Sequence, residues 1–121
     1  MELPKTLPPK TAPTVRAAIK AVREASPDAT EFPYAMSQPR ARSMMWKLVR
    51  YSSGGQNVVG IGTFAEHATM YFYRGREFDD GKGVLKGTGK DTRFVTLRTP
   101  ADASSAQVKR LLRAAFRLAS G

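Results

Sequence analysis

The segment Gly87-Thr88-Gly89-Lys90, with Lys86 just before it and Arg93 three residues after, has the residue types to hold an anion. Glycine lets successive backbone N–H groups converge on a small negative charge, and the three cations add attraction. The frame of a nucleotide loop is missing. A Walker loop needs Gly five residues before Gly89 and Ser or Thr after Lys90, and Val84 and Asp91 stand there. The dinucleotide pattern fails as well, because Thr92 takes the place of its third glycine. The residues after Thr92 alternate like a strand rather than repeating like a helix. The segment therefore reads as a glycine-shaped turn that launches the last strand, with Lys86, Gly87, Thr88, Gly89, Lys90 and Arg93 as an anion or ligand site of secondary rank.

Asp79, Asp80 and His67 are the residues to test for a metal. Carboxylates suit a hard cation, but adjacent aspartates lack the alternating spacing of a calcium loop. Between Arg74 and Lys90 there are five cations and three carboxylates, which opposes a bound cation. His67 is the only histidine and there is no cysteine, so a His/Cys cage is excluded. As a general base His67 would need a nucleophile and an orienting carboxylate. Glu66 is adjacent in sequence and would face the other way. No catalytic residue is assigned, and the expectation is a protein that is not an enzyme.

The elements that must position these residues follow from periodicity. Residues 1–13 hold four of the eight prolines and two lysines, and read as an extended tail. A single domain is expected over 14–121. Thr14 is placed to cap a helix in which Val15, Ala18, Ile19 and Val22 share a face, and Pro27 stops it. Three prolines then mark an irregular crossing. Strands are expected over Met44–Tyr51, Asn57–Phe64 and Ala68–Tyr73, the first two joined at Ser53-Gly54-Gly55. Simple alternation puts Trp46 and Leu48 on one face and Lys47 and Val49 on the other. Gly60 and Gly62 leave room on their face for another element.

A loose glycine-rich loop leads to a strand over Phe94–Thr99. A last helix is expected from Ser104, boxed by Gln107, with Val108, Leu111, Leu112, Ala115 and Phe116 as its apolar stripe. The class is α+β: an antiparallel sheet with the N- and C-terminal helices packed on one face. Phe72, Phe94 and Trp46 are expected in the core. Tyr71 and Tyr73 share a face with Thr69 and are free to line a groove.

Twenty Lys and Arg against ten Asp and Glu give a net charge of +10, spread along the whole chain. Such a balance favours polyanions through counterion release, so a nucleic-acid partner is the alternative to a small ligand. Aromatic residues interleaved with Lys47, Arg50, Arg74 and Arg93 have the composition of a base-stacking platform. The lack of cysteine fits a reducing cytoplasm. No apolar run nears the roughly 20 residues of a membrane span, and no signal-peptide pattern is seen. Either a monomer or a homodimer is compatible with the sequence.

The run FDDGKGVLKGTGKDTRFVTLRTPADA resembles the signature of the YdhG-like domain family, small bacterial proteins largely of unknown function. The features that carry the resemblance are Asp79, Asp80, Leu85, Gly87-Thr88-Gly89-Lys90, Arg93, Leu97-Arg98 and Asp102. Upstream, GTFAEHATMYFYRG is similar to that family's aromatic-x-x-His turn and aromatic strand, at Phe64, His67, Tyr71 and Phe72. The resemblance spans about 14–118. It implies a frataxin-like α/β sandwich and a small-ligand or metal carrier, with iron as the cofactor to test because some members are described as iron chaperones.

Overall fold

The computed structural model describes residues 3–79, 81 and 83–120. The elements in chain order are α1 (Ala12–Ala25), β1 (Thr30–Pro33), β2 (Trp46–Ser53), β3 (Gln56–Thr63), β4 (Ala68–Phe72), a 3-10 turn (Gly75–Phe78), β5 (Arg93–Leu97), α2 (Pro100–Ala103) and α3 (Ala106–Ser120). The five strands form one sheet in the order β1-β2-β3-β4-β5, every neighbour antiparallel. The chain thus meanders across the sheet, and α1 and α3 lie against one face of it. The α+β class read from the periodicity is the class observed. Among the described residues no helix is long and apolar enough to cross a membrane.

The core lies between that sheet face and the helices. Val49, Val59, Ile61, Met70, Phe72 and Leu97 project from the strands and are completely or almost completely buried. They meet Val15, Ile19 and Val22 of α1 and Leu111, Leu112 and Phe116 of α3. Each apolar side chain of this size stabilises the fold by about 1.5–3 kcal/mol when fully buried. The β2–β3 turn has Gly54 and Gly55 at φ 59° and 78°, the left-handed pair that matches the twist of a tight hairpin.

Several details differ from the sequence reading. α1 begins at Ala12, and Thr14 is buried within its first turn rather than capping it. Pro13 explains the shift, since proline suits the first turn of a helix and pushes the start upstream. The crossing contains β1, a four-residue edge strand that ends at Pro33, where a missing N–H costs least. At the last helix the capping box forms on Thr99 and Asp102, in the short α2. Ser105, not Ser104, then caps α3, its Oγ accepting from Val108 N at 3.2 Å.

β2 carries a bulge. Lys47 pairs with Gly62 and Val49 with Ile61, so Leu48 is an extra residue between them. Val49 thereby joins Trp46 and Tyr51 on the helix side. Lys47 and Arg50 both fall on the opposite side, facing Gly62 and Gly60.

The proline-rich segment is tied to the domain along part of its length. Leu7 is 6% exposed and belongs to the core. Thr11 Oγ1 lies 2.9 Å from Thr63 Oγ1, with both residues buried. Lys10 pairs with Glu66, which also binds Arg42 at 3.0 Å. At the other edge Glu31 accepts from Arg23 of α1 at 2.6 and 3.0 Å and from Tyr51 at 2.9 Å. Leu7→Ala should therefore lower stability by about 2 kcal/mol or more in urea unfolding, as a core truncation does. A free tail would leave the transition unmoved.

Candidate ligand-binding site

The glycine-studded loop resolves into a backbone device. Lys86 and Phe94 exchange both of their main-chain hydrogen bonds at 2.8 Å, a bridge that folds the loop back on β5. Gly87 sits at φ 124°, which a side chain would strain. Arg93 turns into this loop. Its Nη1 donates to Gly89 O at 2.6 Å and Thr92 O at 2.9 Å, and its Nε lies 3.8 Å from Asp79 Oδ2. Arg76 fixes the same loop through Asp91, by backbone at 2.9 Å and side chain at 3.4 Å.

Of the anion-site candidates, then, Arg93 is engaged by carbonyls. Lys86, Thr88 and Lys90 are exposed, and among the described residues their side chains make no hydrogen bond or ion pair. Asp79 is brought to Arg93 and accepts from Gly81 N at 3.0 Å. Asp80 lies outside the described residues. His67 sits in the β3–β4 turn, stacked on Phe64 at 4.9 Å and 32°. Among the described residues no three His, Asp or Glu side chains gather where they could hold a metal ion.

A different site stands on the sheet face that the helices leave open. A cavity of about 510 Å³ is bounded by Phe64 and His67 at the β3–β4 turn, by Thr69, Tyr71 and Tyr73 along and just after β4, and by Phe94 of β5. Met45, Lys47 and Thr92 complete its rim. Phe94, expected in the core, is half-buried here instead. It pairs with Tyr71 in the register, and alternation along β5 turns Leu97 and Val95 to the helices and Phe94 away from them.

The space comes from β3. At Gly60 a Cβ would stand 2.1 Å from the Tyr71 ring, and at Gly62 one would stand 2.8 Å from the Met45 side chain. The room left by these glycines is filled by side chains and not by a further element of structure. Tyr71 lies flat across the strand as a result, 7% exposed.

Its hydroxyl is the notable polar group. Tyr34 and Tyr73 place their hydroxyls 3.3 Å apart, and Tyr71 Oη is close to both without reaching hydrogen-bond geometry to either. It is the one buried side-chain oxygen or nitrogen without a partner among the described residues. Burial, reinforced by the neighbouring tyrosines, pushes the Tyr71 hydroxyl far above its ordinary value. Burial also raises Tyr73, to about 12. Tyr34 is opposed by burial, yet the neighbouring hydroxyls and the Lys47 and Arg50 cations carry it below its usual value. Burial, followed by the charge of Arg98, lowers His67, so its ring is neutral at pH 7. Arg50 lies 4.3 Å over the Phe32 ring, and both Arg50 and Lys47 stand 6.0 Å from the Tyr34 ring.

Tyr34 and Thr92 escaped the sequence reading because they come from irregular segments with no period to follow. Met45, expected inside the strand Met44–Tyr51 on the face of Lys47, lies just before β2, which begins at Trp46, and still lines the cavity beside Lys47. The glycine pair on one face of β3 was the signal that pointed to this side of the sheet. No family model matches this chain, and neither a curated protein nor a solved structure matches it significantly.

An unpartnered buried hydroxyl costs stability unless something else needs it. Tyr71→Phe should leave the free energy of unfolding in urea unchanged or raise it, by up to about 1 kcal/mol. A loss of more than that would show that the hydroxyl is bonded within the fold.

Proposed function

We propose that this chain is a non-enzymatic small-ligand-binding or carrier domain of the YdhG-like, frataxin-like kind, and that the open sheet face is its site. The observation that carries the reading is the cavity itself: largely apolar walls, a few convergent polar groups and one buried hydroxyl without a partner. That combination, at about 510 Å³, is typical of small-molecule sites. The meander of five strands with terminal helices agrees with the sandwich that the YdhG-like resemblance implies. An organic cargo fits better than iron. Asp79 is committed to Gly81 and Arg93, and the sequence from Arg74 to Lys90 has more cations than carboxylates. His67, neutral and stacked, has no orienting carboxylate among the described residues, which suits binding more than proton transfer. A cysteine-free chain is at home in the cytoplasm, where we place it.

The test is a fragment screen read by amide NMR shifts. Hits should move Thr69, Tyr71 and Phe94, and Thr92→Trp, which fills the rim from an exposed loop position, should abolish them. Hits that map elsewhere, or that survive Thr92→Trp, would remove the cavity as the site.

A second reading is favoured by a separate observation. Arg16 and Lys20 of α1 and Lys109, Arg110, Arg113 and Arg117 of α3 are exposed, and none is in an ion pair among the described residues. Lys109, Arg113 and Arg117 succeed one another at four-residue steps, about 6 Å apart along the helix. Such a row can track a phosphate backbone. If it does, affinity for a nucleic-acid oligomer falls linearly in log–log form with salt, by about 0.9 per phosphate contacted, and Lys109→Glu with Arg113→Glu flattens the slope. Salt-independent affinity, or a slope those changes leave alone, argues against it.

A further inference from the structure

We propose that the sheet-face cavity takes a planar aromatic carboxylate, its ring between the aromatic walls and its carboxylate at the Lys47–tyrosine end. The inference rests on the reading of this cavity as the binding site and adds the chemistry of what enters it.

Shape is the first ground. The walls present ring faces and edges from three directions: the Phe64–His67 stack, Phe94, and Tyr71 set at 64° to Tyr73 with 5.7 Å between centres. Rings so placed favour a flat partner through offset or edge-on contact. The glycines of β3 allow Tyr71 to lie flat, so the floor is itself a ring.

Charge is the second. Lys47 is the only lining residue with a formal charge at pH 7, and no carboxylate lines the cavity. Among the described residues the Lys47 ammonium has no ion-pair partner. Arg50 adds a second cation just outside, held by Asn57 at 3.2 Å and by the Phe32 ring. His67 is neutral, with the Arg98 cation near it but outside the lining, so Lys47 is the one charge that borders the cavity itself.

The third ground is a count of protons. Tyr34, Tyr71 and Tyr73 have three hydroxyl protons, and only the Tyr34–Tyr73 pair has hydrogen-bond geometry, which uses one. Two O–H donors are left beside an ammonium, that of Tyr71 covered in the free protein, and among the described residues neither has an acceptor. An anionic oxygen answers that surplus, and charge-assisted bonds to it are the strong kind. A bare cation does not, since it would meet Lys47 and find no carboxylate. A polyphosphate is a poor match too, with one cation in a largely apolar cavity.

The experiment uses 2-naphthoate and its neutral isostere 2-naphthamide as probes, with affinities from calorimetry and location from amide NMR shifts at Thr69, Tyr71 and Phe94. Naphthoate should bind in the cavity at least about tenfold more tightly than the amide. Lys47→Gln, at an exposed position that should not disturb folding, should bring naphthoate down to the level of the amide and leave the amide unchanged. Tyr71→Phe should weaken naphthoate while the fold is kept. Equal binding of the two probes in the cavity would overturn the carboxylate and leave the cavity reading standing. Cyclohexanecarboxylate binding as well as naphthoate would overturn the planar ring. If neither naphthalene probe moves the cavity amides at millimolar concentration, the inference fails, and the fragment screen decides separately whether the cavity binds anything.

Discussion

Gly60 has no side chain, and the ring of Tyr71 occupies the place where one would be. The open face of the sheet depends on that contact. With a Cβ 2.1 Å from the ring, Tyr71 would have to leave the strand surface, and its hydroxyl would lose its place beside Tyr34 and Tyr73. The same strand carries Val59 and Ile61, fully buried, on its other side. β3 is therefore a divided strand. Its odd positions bind the helices to the sheet, and Gly60 and Gly62 make the opposite face concave enough to hold side chains flat. The helix side is ordinary hydrophobic burial, indifferent to the detail of the other face, and it supplies the stability against which an unpartnered hydroxyl can be tolerated.

The second determinant is the bulge at Leu48. In an unbroken strand Lys47 and Arg50 point to opposite faces, and one cation would be driven into the core. The extra residue turns both outward and returns Val49 and Tyr51 to the helix side. Tyr51 then reaches Glu31 at 2.9 Å, and Arg23 of α1 binds the same carboxylate. One local irregularity thus sets the charge of the open face and completes a polar tie between α1 and the sheet edge. Bulges re-aim side chains in this way wherever strict alternation would misplace them.

Those two features also explain what was legible in the sequence. The helical stripes of Val15, Ile19 and Val22 and of Leu111, Leu112 and Phe116 repeat cleanly, because each helix buries one face only. The central strands and the Gly54-Gly55 turn were readable for the same reason, and with them the α+β class. β1 was not, since TEFP is short, lies at an edge and ends in proline, so burial leaves no alternating mark on it. The facing of Arg50 was not, because a one-residue bulge has no signature in composition. Phe94 was misplaced because aromatic character alone suggests burial, while its register partner Tyr71 shows which face it takes. The glycine-rich loop was read as a launch into the last strand, and Lys86 and Phe94 fold it so. That Arg93 spends its guanidinium on Gly89 and Thr92 carbonyls is a tertiary outcome that spacing does not encode.

The distribution of charge is a consequence of scarcity. With ten carboxylates for twenty cations, five of the acids are in ion pairs among the described residues, most of them between separate segments. Glu66 holds Lys10 and Arg42, Glu31 holds Arg23, Glu77 holds Arg74, and Asp91 and Asp79 hold Arg76 and Arg93. In the exposed pairs among these the gain is small, and their effect is chiefly to fix loops. Asp102 is committed as well, to the Thr99 cap. The uncompensated charge is of two physical kinds. On the helices the free cations stand in water, where charges more than about 8–10 Å apart are screened and only a partner that is itself a dense polyanion gains from them. On the open face Lys47 and Arg50 border aromatic rings, where the dielectric is lower and a matched charge counts for more. Surplus charge is thus diffuse on one side of the molecule and focused on the other, and it is the focused side that the fold equips with walls.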